Sequence, residues 1–83
     1  MKVVWDAEAK TSFRKYLEYI KADSVQAAEK VRIDILKTIR NLPQHPEMFP
    51  VDRFKNENNG NYRAFEKFSC RIAYLVTVKE IRI

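Results

Sequence analysis

All three prolines of the chain, Pro43, Pro46 and Pro50, and its only glycine, Gly60, lie between residues 43 and 61. Proline fixes φ and removes a backbone donor, and glycine costs conformational entropy inside regular elements. Such residues punctuate secondary structure rather than propagate it. The 83-residue chain is thereby divided in two, with no breaker in either flank.

The first flank reads as a strand followed by two helices. Lys2 to Trp5 is a short β-rich run ending at Asp6, a residue suited to cap a helix that starts with Ala7-Glu8-Ala9-Lys10. Ala9, Phe13, Leu17 and Ile20, with Tyr16 alongside, recur at helical spacing, while Lys10, Arg14, Lys15, Glu18 and Lys21 point elsewhere. This helix fades near Ala22. Asp23 and Ser24 compete as the next N-cap, with Gln26 placed to close a capping box on Asp23. In the second helix Ala28, Val31, Ile35, Ile39 and Leu42 form one apolar stripe, flanked by Val25, Ala27 and Leu36, and Pro43 ends it. Two helices joined by so short a link pack as an antiparallel hairpin.

The second flank alternates. Three strands are predicted, over 62–68, 69–77 and 79–83, with a tight turn between the first two. On the middle strand Cys70, Ile72, Tyr74 and Val76 share one face, and Arg71, Ala73, Leu75 and Thr77 share the other. Continuing the alternation places Arg63, Phe65 and Lys67 on the mixed face with Arg71, opposite the helices. An unpaired buried charge is too costly for a sealed core, so that face is the candidate working surface. The expected architecture is α+β, in the order β-α-α-β-β-β, with an antiparallel sheet packed against the helical hairpin. The position of the first strand in the sheet is left open. In the loop between the flanks, Met48-Phe49-Pro50-Val51 is apolar enough to pack on the core, Asp52-Arg53-Phe54-Lys55 carries basic residues back to the sheet, and Asn56 to Asn61 is a polar turn.

Residues 1–83 make one domain, and an apolar fraction of 46% excludes disorder as the default. The single Cys70 allows no internal disulfide and reads as a small core residue. With no signal peptide or long apolar run, the expected setting is the cytoplasm, away from membranes. His45 and Cys70 are too few to make a metal site, and no cofactor is expected. The net charge of +5 is concentrated towards the end: residues 1–48 carry nine Lys/Arg against seven Asp/Glu, and residues 49–83 carry seven against four. Such an excess favours a polyanion or an acidic protein as partner.

No catalytic motif stands by itself. His45, between two prolines, reads as a solvated or loop-packing histidine rather than a general base. The chemistry-bearing set is basic: Arg53, Lys55, Arg63, Lys67, Arg71 and Arg82. These could neutralise phosphates on the sheet, with Phe54, Phe65 and Tyr62 offering stacking surfaces to unpaired bases. They could equally be solvated charges, some paired with Glu57, Glu66 and Glu80.

The N-terminal strand Val3-Val4-Trp5, the helix pair, the run Asp23-Ser24-Val25-Gln26-Ala27-Ala28, and the closing Tyr62-Arg63, Arg71-Ile72-Ala73-Tyr74 and Glu80-Ile81-Arg82-Ile83 together resemble the RelE/ParE superfamily. These are small toxins of type II toxin–antitoxin systems, including plasmid-stabilisation proteins. The resemblance covers essentially the whole chain. It implies growth inhibition by a toxin that a cognate antitoxin neutralises. RelE-like members are metal-independent endonucleases that cut mRNA on the ribosome, and ParE-like members poison DNA gyrase. Arg63 and Arg71 match arginines that both branches place on adjacent strands, and their separation is the more ParE-like; Arg53 and Lys55 lie where RelE-like enzymes carry basic residues. In a RelE-like reading Lys55 would be the base, with Arg63 and Arg71 stabilising the transition state. An inactive relative retained as an antitoxin partner is a further alternative. Relatives generally continue beyond the position of Ile83, often with a C-terminal His or Tyr. The expectation is therefore weak RNA cleavage, and an open final strand that self-associates until an antitoxin covers it.

Overall fold

Strand β1 (Lys2–Val4), helix α1 (Ala7–Asp23) and helix α2 (Val25–Asn41) open the computed structural model, which describes all of residues 1–83. Strands β2 (Tyr62–Lys67), β3 (Cys70–Val76) and β4 (Glu80–Arg82) close it. The sequence placed every strand within one residue of these limits. The helices are joined by Ser24 alone, whose extended backbone reverses the chain and whose hydroxyl accepts from the Ala27 N–H at 3.1 Å. Ser24 therefore holds the cap. Asp23 is the last residue of α1, so the expected box between Asp23 and Gln26 does not form. Asp6 sits at the N-cap of α1 but makes no side-chain cap bond.

The two helices bury unequal faces. Ala28, Val31, Ile35 and Ile39 of α2 are buried, whereas α1 contains no fully buried residue. Its Ala9, Phe13, Tyr16, Leu17 and Ile20 lean on the core from outside. The core proper joins Val31, Ile35, Ile39 and Leu42 to Phe65, Ile72, Tyr74, Ile81 and Ile83. Each aliphatic side chain fully removed from water there contributes about 1.5–3 kcal/mol. Cys70 packs at the rim of this cluster, as a small apolar residue would.

The sheet order is β1-β4-β3-β2, and β1 runs parallel to β4 with Val3 opposite Ile81. The sheet is thus mixed rather than wholly antiparallel, because the first strand docks beside the last. The Ile83 N–H donates to Val4 O at 2.8 Å, and the Asp6 N–H donates to Ile83 O at 2.9 Å. The final strand is interior, not the open edge expected of it. The true edges are β1 and β2, and β2 is partly covered by a bridge from Val51 to Arg63.

Two turns achieve their geometry without the usual residues. In the β2–β3 hairpin, Phe68 and Ser69 hold φ of 54° and 64°, left-handed values for which hairpins normally use Asn and Gly. The Tyr16 hydroxyl donates to Phe68 O and ties this turn to α1. Between β3 and β4, Thr77 Oγ1 accepts from the N–H groups of Lys79 and Glu80, and Thr77 N–H donates to Glu80 O at 2.9 Å. A threonine side chain thus closes a turn that carries no glycine or proline.

Candidate functional site

The register of β2 against β3 decides which cations meet. The two-residue turn places Lys67 opposite Cys70, Phe65 opposite Ile72 and Arg63 opposite Tyr74. Directly paired residues share a face. Arg63 and Lys67 therefore follow the core-facing side chains, while Arg71 lies opposite Glu66 on the outer face with Ala64, Ala73, Tyr62 and Leu75. The expectation that Arg63, Phe65 and Lys67 share a face with Arg71 is corrected. A tight two-residue turn pairs odd-numbered residues with even ones, so the side-chain alternation changes parity between the two strands.

Arg63 is half-buried, and its Nη1 donates to Phe49 O at 2.7 Å. It secures the start of the loop, close to where the Tyr74 hydroxyl donates to Pro46 O at 2.9 Å. Burial pushes the Tyr74 phenol up, and the Arg63 charge works against that rise. Together these bonds seat the apolar 46–51 segment, with Phe49 stacked on Phe65 at 4.6 Å between ring centres. Packing of the loop centre on the core agrees with its apolar sequence.

Beyond Val51 the chain turns to the outer face. Asp52 is buried, and its Oδ1 accepts from Arg71 and from the Phe54 N–H at 2.9 Å. The first bond is an ion pair across 19 residues of sequence, and the second an Asx turn that aims Phe54 outward. Asn58 closes the loop behind it. Its Nδ2 donates to Asp52 O at 3.1 Å and Tyr62 O at 2.8 Å, and its Oδ1 accepts from Gly60 N–H at 2.9 Å and Tyr62 N–H at 3.2 Å. Four bonds from one amide make this stretch an ordered platform.

Three of the predicted cations gather there. The guanidinium carbons of Arg53 and Arg71 lie 5.0 and 4.7 Å from the centre of the Phe54 ring, and Lys55 Nζ lies 4.4 Å from that of Tyr62. Such cation–π contacts contribute about 0.5–1 kcal/mol each at exposed positions. Arg82 is on the same sheet face but paired with Glu80 at 2.9 Å. Arg53, Lys55, Lys67 and Arg63 make no ion pair. A cleft of about 380 Å³ opens beside the platform, lined in part by Phe49, Asp52, Arg53, Ala64 and Arg71.

Of the three rings expected to offer stacking surfaces to bases, Phe65 is instead buried in the core against Phe49, while Phe54 and Tyr62 lie against the cations; Asp52 and Asn58, which organise them, were missed. The local signal for Asn58 was its place in an Asn-rich turn. The pairing of Asp52 with Arg71 had no local signal at all. His45 is exposed in the proline-bounded turn, and no three His, Cys, Asp or Glu side chains converge anywhere in the chain. No helix is long and apolar enough to cross a membrane.

Residues 3–83 match the family model described as the ParE toxin of the type II toxin–antitoxin system, parDE. No curated protein matches the chain.

Proposed function

The chain belongs to the ParE toxin family of type II toxin–antitoxin systems, and we propose that it arrests growth in the cytoplasm by binding a macromolecular target, DNA gyrase rather than mRNA on the ribosome. Family membership implies an antitoxin partner, which in this reading neutralises the toxin. The observation that supports a binding role is the separation of Arg63 from Lys55 and Arg71 on opposite sides of the sheet. RNA cleavage without metal requires a base within hydrogen-bond reach of the attacking hydroxyl and cationic donors about 3 Å from the same phosphate. Of the three candidates for those roles, Arg63 follows the core-facing side of β2 and is bonded to Phe49 O, whereas Arg71 is on the outer face and paired with Asp52. Lys55 rests on the Tyr62 ring. Groups so committed support recognition better than phosphoryl transfer.

The test is a pair of reconstituted assays with the purified 83-residue chain. Inhibition of gyrase supercoiling, relieved by the antitoxin and unaccompanied by mRNA cleavage on translating ribosomes, is the expected result. Efficient cleavage on the ribosome would replace this reading with the endonuclease. Absence of growth arrest on expression without antitoxin would leave only the inactive, antitoxin-binding relative.

A further inference from the structure

We infer that the tip of the loop, Arg53-Phe54-Lys55, is the surface through which this chain docks on an acidic protein partner; the inference rests on the reading above that the target is a protein. Phe54 is 66% exposed, and Met48 and Val51 on the same loop are 47% and 44% exposed. Large apolar side chains at this exposure need an explanation when they share one segment. The loop is not slack: Asp52, Arg71 and Asn58 hold the backbone beneath Phe54 through five hydrogen bonds to its flanks. An aromatic anchor on a prearranged support loses little entropy when it is covered, as the central residues of strong interfaces require.

The charges beside the anchor define the partner. Arg53 and Lys55 make no ion pair, while Arg71 and Arg82 are already neutralised within the chain. The tip therefore presents two uncompensated cations at an apolar centre, which calls for an apolar surface rimmed by carboxylates. A nucleic acid fits less well. Two uncompensated cations would displace few counterions from a phosphate backbone, so they add little to nucleic-acid affinity. The cleft of about 380 Å³ next to the tip, with Arg53 and Arg71 in its lining, can receive one projecting side chain of that partner.

The experiment compares the full chain with Phe54→Ala and with the double variant Arg53→Glu/Lys55→Glu. Cooperative thermal melting and an unchanged far-UV circular dichroism spectrum establish that each variant is folded. Growth arrest in cells, and binding to purified DNA gyrase and to a short single-stranded RNA, are then measured. Folded variants should lose growth arrest, and binding to gyrase should weaken roughly tenfold or more, the loss expected for a central aromatic or charged anchor. Full growth arrest by both folded variants would overturn the surface assignment whatever the target. Loss of arrest with no gyrase binding by the parent chain would remove gyrase but keep the surface. Loss of RNA binding that tracks loss of arrest would overturn the protein partner.

Discussion

Replacing Asp52 by Asn tests whether the ion pair with Arg71 holds the outer platform. The substitution removes the charge but keeps an oxygen that can accept from the Phe54 N–H. The Asp52 side chain is 8% exposed and that of Arg71 34%, so the pair is neither fully buried nor freely solvated. Hydrogen bonds to charged groups contribute about 1.5–3 kcal/mol. Water reaching Arg71 screens part of this, and about 1–2 kcal/mol is expected for Asp52→Asn. Arg71→Ala should cost more, about 2–4 kcal/mol, because it leaves the carboxylate buried without its partner. The double variant should cost much less than the sum. Urea unfolding of the four proteins, followed by Trp5 fluorescence, gives the coupling energy directly. For a domain of 60–100 residues each kcal/mol moves Tm by about 4–8 °C, so thermal melts resolve the same order. Coupling below about 0.5 kcal/mol, or Arg71→Ala milder than Asp52→Asn, would refute the reasoning.

The hairpin turn offers a stabilising change: Ser69→Gly relieves a left-handed residue at φ 64° and should raise stability by about 0.5–1 kcal/mol, the relief of about 1–2 exceeding the entropy glycine brings to the unfolded chain. A lower or unchanged melting temperature would count against strain there. Ile35 is fully buried, and Ile35→Ala should cost about 2–5 kcal/mol, a large share of a small domain's total, visible as a fall in the urea midpoint. Burial raises the pKa values of Cys70, Tyr16 and Tyr74 above their ordinary 9.0, 10.0 and 10.0. Their contribution is complete below those ordinary values and is lost as pH rises through the higher folded ones. Stability should therefore fall from about pH 9 upward, and Tyr74→Phe should flatten that fall while costing about 1 kcal/mol at neutral pH through the lost bond to Pro46 O. An alkaline fall as steep in the variant would exclude Tyr74 as its source.

What could be read in advance separates by distance along the chain. The stripe of Ala28, Val31, Ile35 and Ile39 is local, and it fixed both the existence and the buried face of α2. The breakers at Pro43 and Gly60 bounded the loop correctly for the same reason. The side of β2 occupied by Arg63 depends on the number of residues in the turn: a two-residue turn reverses the parity that a one-residue difference would preserve. That geometry is visible only once Lys67 is known to face Cys70. The place of β1 depends on a partner at the other end of the chain, Ile81 opposite Val3, for which short sequence windows contain no information.

The same distinction governs the site. Charge can be counted from the sequence, but whether a charge is available depends on what folding sets beside it. Six cations were candidates; folding bonds Arg63 to a carbonyl, pairs Arg71 and Arg82 with carboxylates, and turns Lys67 towards the opposite side from Arg71. Arg53 and Lys55 remain on an apolar tip, uncompensated by any carboxylate. Asp52 links these outcomes, because one buried carboxylate both neutralises Arg71 and turns Phe54 outward. Losing it should therefore disturb the platform's backbone support and its charge together, whereas reversing Arg53 and Lys55 should change the charge and the two cation–π contacts at the tip and leave the Asp52 and Asn58 bonds in place. Comparison of the two kinds of variant separates loss of support from loss of contact.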